Sequence, residues 1–84
     1  MNQASIPVPS SAPKIGVTYQ HYKGDLYQVI DMALHSNDGE WMVEYKPLYE
    51  NAVADLFTRP LSEWDQEVEW PVGSGIKTLR FKRI

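Results

Sequence analysis

The 84-residue chain has no cysteine, so neither disulfides nor thiolate-bound zinc can staple it and its hydrophobic core must hold the fold unaided. It opens on Met1-Asn2-Gln3-Ala4-Ser5, with no basic segment running into an apolar one, and no stretch approaches the ~20 apolar residues of a membrane span. A cytoplasmic protein that stays out of the membrane is the expectation. Positive charge is scarce as well: 8 Lys and Arg stand against 11 Asp and Glu, for a formal charge of -3. That balance speaks against bulk nucleic-acid binding carried by phosphate contacts, which needs a concentrated cationic face. The length allows one domain and leaves little room for a large buried active-site cavity.

Aromatic residues are what the chain has instead, with 3 Trp, 5 Tyr and 2 Phe. Each ring removes a large area from water, which suits a small domain without covalent staples. Charge is unevenly placed. Lys77, Arg80, Lys82 and Arg83 lie close to the C-terminus and Glu63, Asp65, Glu67 and Glu69 just before them, which reads as solvated faces of neighbouring strands.

Residues 1–13 carry Pro7, Pro9 and Pro13, several Ser and Asn, and no charge. They read as a disordered tail ahead of a single small β-barrel domain over 14–84. Val17 to Tyr22 and Leu26 to His35 are β-branched and aromatic, hence strands. A three-residue loop Tyr22-Lys23-Gly24 puts glycine at the left-handed position such hairpins require. That register sets His21 opposite Asp25, Tyr19 opposite Tyr27 and Val17 opposite Val29. The same logic applied to Asn37-Asp38-Gly39 sets Ser36 opposite Glu40, His35 opposite Trp41 and Ala33 opposite Val43, with the third strand running from Trp41 to Tyr49.

With both registers in force, Tyr19, His21, Tyr27, Val29, Ala33, His35, Trp41, Val43 and Tyr45 share one face of a meander. The other face, with Leu26, Ile30, Met32, Leu34 and Met42, is also partly apolar, which predicts a strongly bent central strand. Leu56 to Arg59 gives a short fourth strand, Pro60 to Trp64 one helical turn with Pro60 near its first position, Gln66 to Trp70 another strand, and Ile76 to Phe81 a closing one. The fold class is therefore all-β: a small SH3-like barrel or strongly curled antiparallel sheet of five to six strands with one short helical turn, an OB-like barrel being the alternative.

The run Tyr19-x-His21-x-Lys23-Gly24-x-x-Tyr27-x-Val29, then Ala33-x-His35-Ser36, Glu40, Val43-x-Tyr45-x-x-Leu48-Tyr49, Arg59-Pro60 and Arg80-Phe81-x-x-Ile84 resembles the bacterial family known as domain of unknown function 1653. The resemblance spans roughly residues 15 to 84. It departs from the usual pattern at Leu56-Phe57, where a Trp is common, at Trp64, where a Phe is common, and in an extended loop from Asp65 to Lys77. It implies a small bacterial domain and brings no established chemistry with it.

The candidate ligand-binding residues are Tyr19, His21, Lys23, Tyr27, His35, Trp41 and Arg59. His21 and His35 are the groups that titrate near neutrality, and on a shared face they would be polar contacts among aromatic walls. Such walls can surround a methylated ammonium or stack on the bases of a single strand, with Lys23, Arg59 and Arg80 supplying charge. The histidines also have plainer roles, His21 bonding Asp25 and His35 bonding Glu40 or Ser36, and Arg59 can clamp Glu63 or Glu67. No His-x-His spacing marks a metal site, no cofactor motif occurs, and Ser36 beside His35 points to the other face of a strand and cannot serve as its nucleophile. The functional expectation is a binding or accessory module for a small molecule or a protein. The alternatives are a small enzyme using His21 or His35 as acid or base, and a structural domain that docks on a partner.

Overall fold

The computed structural model describes residues 6–84; the first part of the expected tail lies outside them. Strands β1 (Thr18–His21), β2 (Leu26–Leu34), β3 (Trp41–Pro47) and β4 (Phe57–Pro60) are followed by one helical turn, α1 (Leu61–Trp64). Strands β5 (Glu67–Glu69), β6 (Lys77–Leu79) and β7 (Phe81–Arg83) complete the chain. A five-stranded antiparallel sheet has the order β4-β3-β2-β1-β7, and β5 and β6 form a separate hairpin. Among the described residues no helix is long and apolar enough to cross a membrane.

The first hairpin has the expected register, with Tyr19 opposite Tyr27. Its turn is closed by the His21 N–H donating to the Asp25 carbonyl at 2.8 Å and the Gly24 N–H to the His21 carbonyl at 2.7 Å. Gly24 has φ +111°, a backbone region that side chains disfavour.

The second hairpin departs from expectation by one residue. The His35 N–H donates to the Glu40 carbonyl, so the loop holds Ser36 to Gly39 rather than three residues. Leu34 therefore faces Trp41 and Met32 faces Val43. Asp38 explains the longer loop: its carboxylate accepts the Glu40 N–H at 2.9 Å and lies 3.2 Å from His35 Nδ1, the side-chain turn mimicry typical of Asp.

A β-bulge between Val29 and Asp31 shifts the register by one further residue, which restores the side-chain parity, and beyond it Val29 faces Tyr45. Side-chain alternation thus reverses part-way along β2. Tyr27 and Val29 face the core before the bulge and Met32 after it, which is why both faces of this strand looked half apolar in sequence. The expected common face is corrected accordingly: Ala33 and His35 fall on the side away from Val43.

The expected closing strand is also corrected. The chain breaks at Arg80, whose N–H donates to the Gln66 carbonyl and whose carbonyl accepts the Tyr22 N–H. Lys77 to Leu79 then pairs with β5, and Phe81 to Arg83 with β1. The result, among the described residues, is seven strands in two sheets, where five to six had been expected.

Nor does the main sheet close into a barrel, since β4 and β7 remain edges. It is nevertheless curled. Flat strands at about 4.8 Å spacing would hold β4 and β7 roughly 19 Å apart, yet the Arg59 guanidinium carbon on β4 is 5.6 Å from the Phe81 ring centre on β7. Inside the curl lie Tyr19, Val29, Val43, Tyr45, Leu61, Trp64 and Phe81, with Val29 and Val43 fully buried. Leu61 and Trp64, three apart on α1, share the inward face of that turn. Ala12 packs against the same core, Pro13 is buried, and the Lys14 N–H donates to the Tyr19 hydroxyl at 3.0 Å.

Candidate functional site

Phe81 is the centre of an aromatic cluster assembled from four strands and the helical turn. It stacks on Trp64 at 3.8 Å and meets His21, Tyr27 and Tyr45 edge-on at 5.1, 5.9 and 5.7 Å. Edge-on contact sets the positive rim of one ring against the negative face of another. Tyr27 continues the cluster to the surface through Tyr49, whose hydroxyl lies 2.7 Å from its own. Burial, helped by that hydrogen bond, holds the Tyr27 phenol above its ordinary range.

The residues singled out in the sequence divide between three places. Tyr19 is in the core, edge-on to Trp64 at 5.6 Å. Arg59 lies against Phe81, donates from Nε to the Tyr45 hydroxyl at 3.3 Å and pairs with Glu63 at 3.6 Å. His21, Lys23 and Tyr27 gather at the first hairpin. Trp41 and His35 sit at the far end of β2 and β3, with Trp41 half-buried against the core and its Nε1 unpaired among the described residues. The nine residues of β2 separate His35 from His21 by roughly 30 Å of strand. The two imidazoles are not brought together.

His21 has an unusual environment for a half-buried histidine. Its Nδ1 accepts the Lys23 N–H at 3.2 Å, not a bond with Asp25, which leaves the proton of the neutral ring on Nε2. Burial first, then the charges of Arg59, Arg80 and Lys23, lower its pKa from 6.5, and Asp25 opposes them. Three cations thus act on this ring against one carboxylate.

Beside His21 a cleft of 460 Å³ opens between the outer side of β1 and β7 and the β5–β6 hairpin. Gln20, His21, Tyr22, Trp70, Lys77 and Lys82 are its chief walls. Trp70 is 39 % exposed, and its ring stands edge-on to Tyr22 at 5.4 Å. Tyr22 in turn lies against His21 at 4.3 Å and under the Lys23 ammonium at 5.7 Å. Among the described residues none of Lys23, Lys77, Arg80, Lys82 and Arg83 is within ion-pair distance of a carboxylate.

Tyr22, Trp70, Lys77 and Lys82 were not among the candidates, because Tyr22 counted as turn and the chain from Asp65 to Lys77 as an extended loop. A signal was available: Val68 pairs with Thr78 and Glu69 with Lys77, an opposite-charge pair across a glycine-containing reversal.

A second cleft, of 410 Å³, lies along Lys46 to Asn51 and Asp55. Its Asn51 carboxamide oxygen already accepts the Val53 and Ala54 N–H groups, and its lining sets a single cation, Lys46, and a single ring, Tyr49, against Glu50 and Asp55. Among the described residues no three His, Asp or Glu side chains gather as a metal site would need.

The geometry defines a class: a small, mostly β domain with a curled antiparallel sheet over an aromatic core and a basic, aromatic-walled cleft at one edge. The chain belongs to the family described as a protein of unknown function, DUF1653, whose model matches residues 17–83. A crystal structure of a member of that family from Bordetella bronchiseptica is similar, with 32% sequence identity, a TM-score of 0.73, and coverage of 82% of this chain and 85% of that one. No curated protein matches the chain.

Proposed function

We propose that the protein is a ligand-binding or accessory module whose site is the cleft beside His21 and whose ligand is an anion. The observation that carries this reading is the convergence of unpaired cations on a concave, aromatic-walled surface. In a chain of net charge -3, lysines left unpaired around a cleft raise the local concentration of anions there. The lowered pKa of His21 fits, since a proton on that ring meets three cations and one carboxylate. The curled sheet is read as SH3-like in general architecture, supported by the approach of Arg59 to Phe81 across its open edges. Of the residues first singled out, His21 lines this cleft, Lys23 stands over its Tyr22 wall, and Tyr19, Tyr27 and Arg59 support it from the core.

The test is an amide shift survey of the ¹⁵N-labelled protein against a panel of carboxylates, sulfonates and phosphate esters. Shifts are expected at Gln20 to Gly24, Trp70 and Ile76 to Lys82. Shifts confined to Ser36–Trp41, or to the loop around Asn51, would refute this placement.

A further inference from the structure

The positive charge asks for an anion, but charge alone does not explain the ring that stands beside it. Trp70 leaves 39 % and Ile76 58 % of their surface in water, both in the lining of the cleft, and exposed apolar side chains grouped at the mouth of a cleft mark a contact surface. Its position is fixed: Tyr22 packs edge-on against it, and the Trp70 N–H donates to the Ile76 carbonyl at 3.0 Å, anchoring the hairpin that carries it. The cations that share the cleft are lysines from two different strands, Lys77 on β6 and Lys82 on β7. Ammonium groups suit a phosphate as point charges, whereas planar carboxylates are held best by the fork of an arginine.

Resting on the reading of this cleft as an anion site, we propose that its ligand is a nucleotide unit, with the base against Trp70 and Tyr22 and the phosphate on Lys77 and Lys82. Gln20 and Thr78 also line the cleft. The Gln20 amide nitrogen donates to the Gly24 carbonyl at 3.1 Å, and its oxygen, without a partner among the described residues, can accept from a base edge or a sugar hydroxyl. At 460 Å³ the space falls within the roughly 300–1,000 Å³ of small-molecule sites. Glu69 is the carboxylate across from Lys77, and it is already engaged by the Gly75 N–H at 2.7 Å. The shared chemistry of ring plus phosphate can come from a free mononucleotide or from one residue of a single strand. Stacking and a few lysines serve either.

Calorimetric titration with pyrophosphate, adenosine monophosphate and a short oligothymidylate tests this on the wild type, Trp70→Ala and the double variant Lys77→Ala/Lys82→Ala, each checked for folding by circular dichroism. Both nucleotide probes are expected to bind more tightly than pyrophosphate, and loss of the Trp70 ring is expected to weaken them about tenfold or more while sparing pyrophosphate. The double variant weakens all three. An oligomer preference assigns the strand as the source, and equal affinity the free nucleotide. Should nucleotides bind no better than pyrophosphate, with no effect of Trp70→Ala, the nucleotide assignment falls while the anion site stands. Should none of the three bind while another anion shifts the cleft amides, the outcome is the same. The exposed exterior position of Trp70 makes misfolding of its variant unexpected; if it does misfold, Trp70→Leu carries the same comparison.

Discussion

Trp64 and Phe81 lie face to face, ring centres 3.8 Å apart and planes 3° from parallel. Two faces of like quadrupole do not favour that arrangement on their own. The surrounding rings offset it: Tyr19 and Tyr45 meet Trp64 edge-on, and His21, Tyr27 and Tyr45 do the same for Phe81. The stack ties the helical turn to the last strand, so the edges of the open sheet are held by side chains where backbone pairing is missing. It also fixes β7, and with it Lys82, against β1.

Phe81→Ala should therefore cost far more than its single position suggests. The ring is buried and touched on several sides, so truncation is expected to lower stability by about 3–5 kcal/mol, against roughly 1–2 kcal/mol for Phe81→Leu, which keeps most of the apolar volume but loses the ring. Urea denaturation of the two variants checks the ranking. A loss below about 1 kcal/mol for the alanine variant would remove Phe81 from the centre of the core.

The two hairpin glycines should respond unequally to a methyl group. Nothing lies within 4 Å of either added Cβ, so the whole effect is backbone strain. Gly39, at φ +71°, is near the left-handed well, while Gly24, at φ +111°, is well outside it. Gly39→Ala is expected to cost about 1 kcal/mol and Gly24→Ala about 2, measured by denaturant midpoint.

His21 gives the stability a sign in pH. Burial and the Arg59, Arg80 and Lys23 charges put its folded pKa below 6.5, the value taken for the unfolded chain. The unfolded state then binds the proton more readily, so this contribution is complete above the unfolded pKa and is lost as pH falls through the folded one. Denaturant midpoints should decline as pH falls below about 6.5, and His21→Gln should flatten that decline. An equal decline in the variant would assign the effect to other groups.

Much of this organisation was legible in the chain. Tyr22-Lys23-Gly24 encodes its own turn, and the register of β1 on β2 follows from it. The second turn misled because Asp38 bonds within the loop and lengthens it, and a bulge carries no residue signature comparable to a glycine turn. One added loop residue was enough to move His35 to the other face, since strand alternation has a period of two. The cleft was hidden for another reason. Its walls come from Tyr22, Trp70 and Lys82, which meet only because Arg80 interrupts the closing strand and sends its halves to different sheets.

The three indole N–H resonances test the account most directly, because the tryptophans report three separate places. Trp64 is in the core, Trp41 at the far end of the sheet near His35, and Trp70 in the cleft. On titration with a nucleotide probe the Trp70 signal is expected to shift while those of Trp41 and Trp64 stay. A shift of the Trp41 signal with Trp70 unmoved would contradict the placement of the site.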